Sequence, residues 1–216
     1  MTLQNRVLPT GEIVAYPARG MLMGNRGNIH RRDRTLGVSR WRMKMWISCV
    51  LDWQGRRLDV MPPTTRWTAL FFLDEVTALA SGHRPCGYCR RADHRWLAES
   101  WRAARGLSAV PRAFEMDIEL HAERVESRTR RQVTRPAVAG DLPDGTMISR
   151  QGVTGLWCEG ALRPWSFEGY GPPVPVAPGE QVTLLTPPSL VAALRAGYRP
   201  LVHPSAGPTP LRSFPA

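Results

Sequence analysis

The chain has 216 residues, 43% of them hydrophobic and 22% charged, with 20 Pro and 19 Gly, enough to bury a sizeable core as one domain or two small ones. No run approaches the ~18 uninterrupted apolar residues of a membrane helix, and the ordinary composition excludes a collagen, a coiled coil and a wholly disordered chain. Lys and Arg number 29 against 18 Asp and Glu, a net charge of +11 that sits entirely in residues 1–112 and suits contact with a polyanion, nucleic acid first.

Residues 1–40 are rich in Gly and Arg, with Arg26, Arg31, Arg32, Arg34 and Arg40 around the stretch Met23-Gly-Asn-Arg-Gly-Asn-Ile-His30. They read as an N-terminal arm whose backbone can approach a ligand closely. A strand is expected at 42–52, a turn at Gln54-Gly55 and a returning strand at 56–61, stopped by Pro62-Pro63. Asp74 reads as the N-cap of a short helix with Val76, Leu79 and Ala80 on one face and Gly82 as its stop. A longer helix runs to Arg105, with Leu97, Trp101 and Ala104 inward and Gly106 closing it. A third helix is expected at 112–131. Its apolar stripe is Phe114, Ile118, His121 and Val125, and the Arg-rich run 124–135 reads as a solvated face. Short strands follow at 146–149, 156–158 and 182–185, then a last helix from Ser189 to Ala196 ended by Gly197. Five prolines from 200 onward read as a tail.

Four cysteines, Cys49, Cys86, Cys89 and Cys158, are too few for a disulfide framework at this length. Without a secretory signal a reducing cytoplasm is expected. Cys86-Gly-Tyr-Cys89 can grip one ion from a tight turn, with Arg84, Arg90 and Arg91 favouring thiolates. A redox dithiol and a pair of inert buried cysteines are the other readings of the same four residues.

The surrounding residues carry a resemblance. Phe71-Phe-Leu-Asp-Glu-Val-Thr-Ala-Leu-Ala-Ser-Gly-His-Arg-Pro-Cys86-Gly-Tyr-Cys89 resembles the zinc-binding N-terminal domain of the Ada DNA-repair proteins, matching at Leu79, Ala80, Gly82, Arg84, Pro85, Cys86 and Cys89. With Cys49 included it covers about 45 residues. In that family an upstream strand supplies two further cysteines spaced C-x3-C. The four thiolates hold zinc, and one of the upstream pair takes a methyl group from damaged DNA. Here the upstream strand carries Cys49 alone, with Met45 and Trp53 four residues either side. The resemblance therefore implies a zinc site of Cys49, Cys86 and Cys89 with a fourth ligand among His94, His83, His30 and Cys158. His94, five residues past Cys89, is the favoured one.

Together these readings give an α+β chain: an arm over 1–40, an Ada-like zinc-knuckle domain of hairpin plus helices over 41–110, a helix and small β-rich part over 111–200, and a Pro-rich tail over 201–216. The expected function is a zinc-binding, DNA-binding protein linked to damage recognition or repair, with zinc mainly structural. The alternative is an enzyme, either a stoichiometric alkyl acceptor at Cys49 or a metal-dependent phosphodiesterase using His30. Phosphate contacts are expected from Arg26, Arg31, Arg32, Arg34, Arg40, Arg42, Arg66, Arg84, Arg90 and Arg91. Trp41, Trp53 and Trp67 are the candidates to stack on bases, whereas Trp46 and Trp101 read as core.

Overall fold

Segments of two to six residues become short strands, and the computed structural model describes the chain over residues 2–57 and 67–214. The first sheet uses β1 (Gln4–Val7), β2 (Ile13–Ala15), β3 (Leu22–Asn25) and β4 (Ile47–Val50). A two-residue hairpin follows, β5 (Asp52–Trp53) and β6 (Arg56–Arg57). Gln54 and Gly55 turn it at φ +54° and +74°, the pair of positive values a type I′ turn requires. The remainder of the expected return strand, Pro62-Pro63 and Arg66 lie outside the described residues. β7 (Leu70–Phe72) and β8 (Arg84–Pro85) complete a six-stranded sheet in the order β2-β1-β7-β3-β4-β8.

The expected arm over 1–40 is thus no separate element. Val7, Ile13, Leu22 and Ile29 bury against Leu70, Phe72 and Ala78, and that apolar contact draws β1, β2 and β3 into the sheet. The chain enters β3 so close to β7 that a Cβ on Gly20, at φ +73°, would lie 2.0 Å from the Phe72 carbonyl oxygen. Gly20→Ala should therefore cost about 2 kcal/mol or more, read as a lower urea midpoint. A shift within experimental error would mean the β3 entrance can move aside.

Helix α1 (Glu75–Ala80) is six residues long and buried throughout. Asp74 caps it as expected, accepting from Thr77 N at 2.9 Å and Thr77 Oγ1 at 2.8 Å, and Gly82 leaves it at φ +79°. α2 (Arg91–Arg105) ends at Gly106 in the left-handed region, with Leu97 and Trp101 inward. Ala104 faces solvent instead, and Ala98 takes the inward place.

α3 (Ala113–Arg124) is shorter than the expected 112–131 and turned away from the expected stripe. Phe114 and Ile118 are exposed, whereas Met116, Asp117, Leu120 and Arg124 face inward. Two charged side chains decide this. Asp117 receives Arg84 in a bidentate pair at 2.9 and 2.7 Å, and Arg124 lies over the Trp46 ring at 3.9 Å.

The second sheet holds β9 (Arg135–Val138), β10 (Thr146–Arg150), β11 (Val153–Cys158), β12 (Ala161–Ser166), β13 (Gly169–Tyr170), β14 (Val174–Pro175) and β15 (Gln181–Leu184). Its order is β13-β12-β11-β10-β15-β9, with β14 also on β12. α4 (Pro188–Arg195) follows, close to the expected 189–196. The Pro-rich segment then pairs β16 (Leu201–Val202) in parallel with β17 (Arg212–Ser213), and Val202, Ala206 and Leu211 enter the core.

That core crosses the expected boundary at 110. Leu73, Val76 and Ala80 pack with Met147, Leu156, Cys158 and Leu185, while Leu97 and Trp101 pack with Leu190 and Tyr198. Two buried carboxylates at the start of α1 complete the join. Asp74 accepts from Tyr170 Oη at 2.7 Å and His203 N at 3.0 Å. Glu75 accepts from Tyr198 Oη and from Leu201 N at 2.8 Å, and pairs with Arg90 at 2.7 Å.

Candidate metal centre and basic surface

Cys49 reaches Cys86 through strand register. β4 pairs with β8 in parallel, Ile47 opposite Arg84 and Ser48 opposite Pro85, and Cys86 N then donates to Ser48 O at 2.9 Å. The chain turns at once, with Arg90 N donating to Cys86 O at 3.0 Å, which swings Cys89 back toward Cys86. The three sulfurs lie within 4.8 Å of one another, each residue half-buried. Three thiolates around one tetrahedral ion with M–S bonds of ~2.3 Å would sit ~3.8 Å apart, so the donors are compatible with a metal.

The electrostatics agree. Cys86 is held far below the usual thiol range by hydrogen bonds from the Cys49 and Cys89 thiols and by backbone N–H groups, including Tyr88 N at 3.4 Å. Cys49, which gives its proton toward Cys86 and Cys89, is pushed up by those hydrogen bonds first and by burial second. A cation here would replace shared protons, so metal uptake is coupled to proton release.

The expected fourth ligands fare differently. No His, Asp, Glu or further Cys joins the three sulfurs among the described residues. His94 borders them across Gly87, where a Cβ would stand 3.3 Å from its ring, and its enclosed Nδ1 has no partner among the described residues. His30 has both ring nitrogens engaged, Nδ1 with Thr68 Oγ1 at 3.1 Å and Nε2 with Gln4 O at 3.0 Å. It therefore lacks the free nitrogen that a ligand or a general base needs. Cys158 ends β11 of the second sheet and faces the core, its thiol pushed up to about 12 by burial.

His83 is also fully engaged. Arg26 Nε donates to its Nε2 at 3.2 Å, which leaves the proton on Nδ1 to donate to Ser81 Oγ at 3.0 Å; Ser81 Oγ in turn donates to Ala78 O. Burial and the neighbouring Arg26 and Arg124 keep this ring neutral, well below the usual histidine range, and burial and Arg124 push His121 down to about 4. Both histidines bind protons more readily unfolded than folded, so stability is full above about pH 6.5 and falls as the pH drops toward 4. Urea titrations at pH 7.5 and 5 should show that loss, and His121→Asn should reduce it. Equal midpoints at both pH values would contradict the neutral, hydrogen-bonded His83.

The ten arginines assigned to phosphate contact divide sharply. Arg26, Arg84 and Arg90 are inside the protein: Arg84 pairs with Asp117, Arg90 with Glu75 and Asp93, and Arg26 lies over Trp46 at 4.1 Å. A guanidinium spent on a buried carboxylate or ring is a packing element, so these three are corrected from surface to interior. Burial and the nearby Arg40 bring Arg26 down to about 9. Arg31, Arg32, Arg34, Arg42 and Arg91 are exposed, and Arg40 is partly so.

The exposed set gains members that the sequence reading assigned to a helix face. The chain past α3 forms a tight loop, Glu126 N donating to Arg131 O at 3.0 Å, which leaves Arg128, Arg130 and Arg131 in solvent. Arg130 Nη1 donates to Val38 O at 3.0 Å and joins this loop to the one carrying Arg40. Ser127 and Thr129, poor helix formers amid the arginines, were the available signal. Of the aromatic candidates, Trp41 packs on His121 and Trp67 on the first sheet, while Trp53 sits 5.7 Å from the exposed Tyr88 beside the cysteines.

No helix among the described residues is long and apolar enough to cross a membrane. No family model matches the chain, and no curated protein and no solved structure matches it either.

Proposed function

We propose that the protein binds nucleic acid, with DNA the expected partner, in the recognition or repair of damage, and that zinc held at Cys49, Cys86 and Cys89 stabilises the binding surface. The observation that carries this reading is the convergence of three thiols from β4 and the turn after β8. Soft sulfur donors favour zinc over the hard divalent cations. His94 is the proposed fourth donor, its ring standing beside Gly87 of the Cys86–Cys89 turn. Bound zinc would supply a rigid cross-link. The chain's own residues then do the binding: Tyr88 and Trp53 offer a ring platform, and Arg91 and the loop arginines offer charge.

The test is fluorescence anisotropy with duplex and single-stranded DNA across a salt series. Affinity should fall steeply with salt, and each of Arg31→Ala, Arg32→Ala and Arg34→Ala that removes a phosphate contact should lower the log–log slope by about 1. Binding that an acidic polypeptide displaces and DNA does not would overturn the nucleic-acid reading.

A further inference from the structure

A second concave site lies away from the cysteines. The Thr10–Val14 segment, the loop at Val38–Arg40 and the loop at Thr129–Thr134 enclose a cleft of about 730 Å³. Three guanidiniums line it, Arg40, Arg130 and Arg131, against one carboxylate, Glu12. The ion pairs among the described residues use none of these four side chains. Three guanidiniums without a carboxylate partner around a single hollow form a site of uncompensated positive charge.

The floor is built. Arg26, 2% exposed, donates from Nη1 to Gly11 O at 3.1 Å, leaving its Nη2 without a partner and its charge immediately behind the cleft. Thr10 Oγ1 is likewise enclosed and unpartnered. Gln132 is fixed from three sides, its Nε2 within reach of Ala80 O and Leu185 O at 2.8 Å and of Pro9 O at 3.3 Å. The Arg130–Val38 hydrogen bond sets the distance between the two walls.

We propose that this cleft is a binding site for a phosphoryl group carrying two or more negative charges, with Arg40 and Arg131 as its ligands and Arg130 as the brace that holds the walls together. Forked guanidinium donors match phosphoryl oxygens bidentately, and Thr10 adds a neutral donor. The same chemistry is offered by a free polyphosphate and by a nucleic-acid backbone. In the second case the site deepens the reading above; in the first it stands apart from it.

Inorganic pyrophosphate titrated calorimetrically into the full chain at low salt tests the site, with a single-stranded oligonucleotide as competitor. One pyrophosphate should bind per chain, weaker by about tenfold or more in Arg40→Ala and in Arg131→Ala. Glu12→Gln should tighten it, a change that damage to the fold would not produce. Arg102→Ala, an equal loss of charge on exposed α2, should leave it unchanged. Competition by the oligonucleotide identifies the backbone as the source of the phosphoryl groups; pyrophosphate binding without competition identifies a free polyphosphate and counts against the nucleic-acid reading alone. Oligonucleotide binding that survives both cleft variants overturns the backbone as the cleft's ligand and leaves the nucleic-acid reading standing on another surface. No pyrophosphate binding, or equal loss in Arg102→Ala, overturns the cleft outright.

Discussion

Purified without added metal, the wild-type chain should carry one zinc, and Cys86→Ser or Cys49→Ser should carry none. Each variant removes a sulfur from a set of three, and two thiolates with at most one histidine do not close a tetrahedral site. Cys158→Ser is the internal control: its thiol is buried at the end of β11 and should leave metal content untouched. The stability effect should be several kcal/mol, since the site ties β4 to the turn after β8, yet less than the ~10–16 kcal/mol of zinc-finger peptides. The parallel pairing of β4 with β8 already holds Cys49 near the turn. Mass spectrometry of the native protein gives stoichiometry, and thermal melts with and without chelator give the coupling. Metal retained in Cys49→Ser would remove the upstream cysteine from the centre and with it the resemblance to the Ada zinc domain.

The second large effect should come from Glu75→Ala, destabilising by about 3–5 kcal/mol. Glu75 is fully buried and is the closest carboxylate to the buried Arg90, at 2.7 Å; it also accepts from Tyr198 Oη and Leu201 N. Its removal leaves a buried guanidinium with Asp93 as its carboxylate and Ser48 Oγ as a neutral partner, and it orphans two donors from the C-terminal segment. The contrast is Glu99→Ala, which breaks an exposed pair with Arg102 and should cost under ~1 kcal/mol. Comparable losses from the two variants would show that Arg90 and the C-terminal segment rearrange freely, against the packing described.

What could be read directly from sequence was set by chemistry within a few residues. The Asp74 cap, the Gln54-Gly55 turn, the Gly106 stop and the Cys86-x2-Cys89 turn all depend on near neighbours. The inner face of α3 does not. Asp117 and Arg124 look like surface charges until Arg84 and Gly82 O arrive from 33 and 42 residues away. The same blindness put Arg26, Arg84 and Arg90 on the surface, because a charged residue announces its partner only in three dimensions. β1 to β3 were hidden because each is three or four residues long and set off from the next by segments carrying Pro9, Gly11, Pro17 and Gly20. At the metal centre the residue types were legible; the register that unites them was not.

The two carboxylates at the head of α1 also impose an order on assembly. Their partners Tyr198, Leu201 and His203 lie 123, 126 and 129 residues downstream. During synthesis Arg90 follows Glu75 closely, but the remaining donors to these two acids are made last, so the helix cannot sink into the core earlier without leaving buried carboxylate oxygens unsatisfied. The first sheet must wait, incompletely covered, until the last strands have been made. Such long-range closure slows folding and lengthens exposure of apolar edges. A chain stopped at Gly197 should therefore collect as an aggregate rather than as a smaller folded protein.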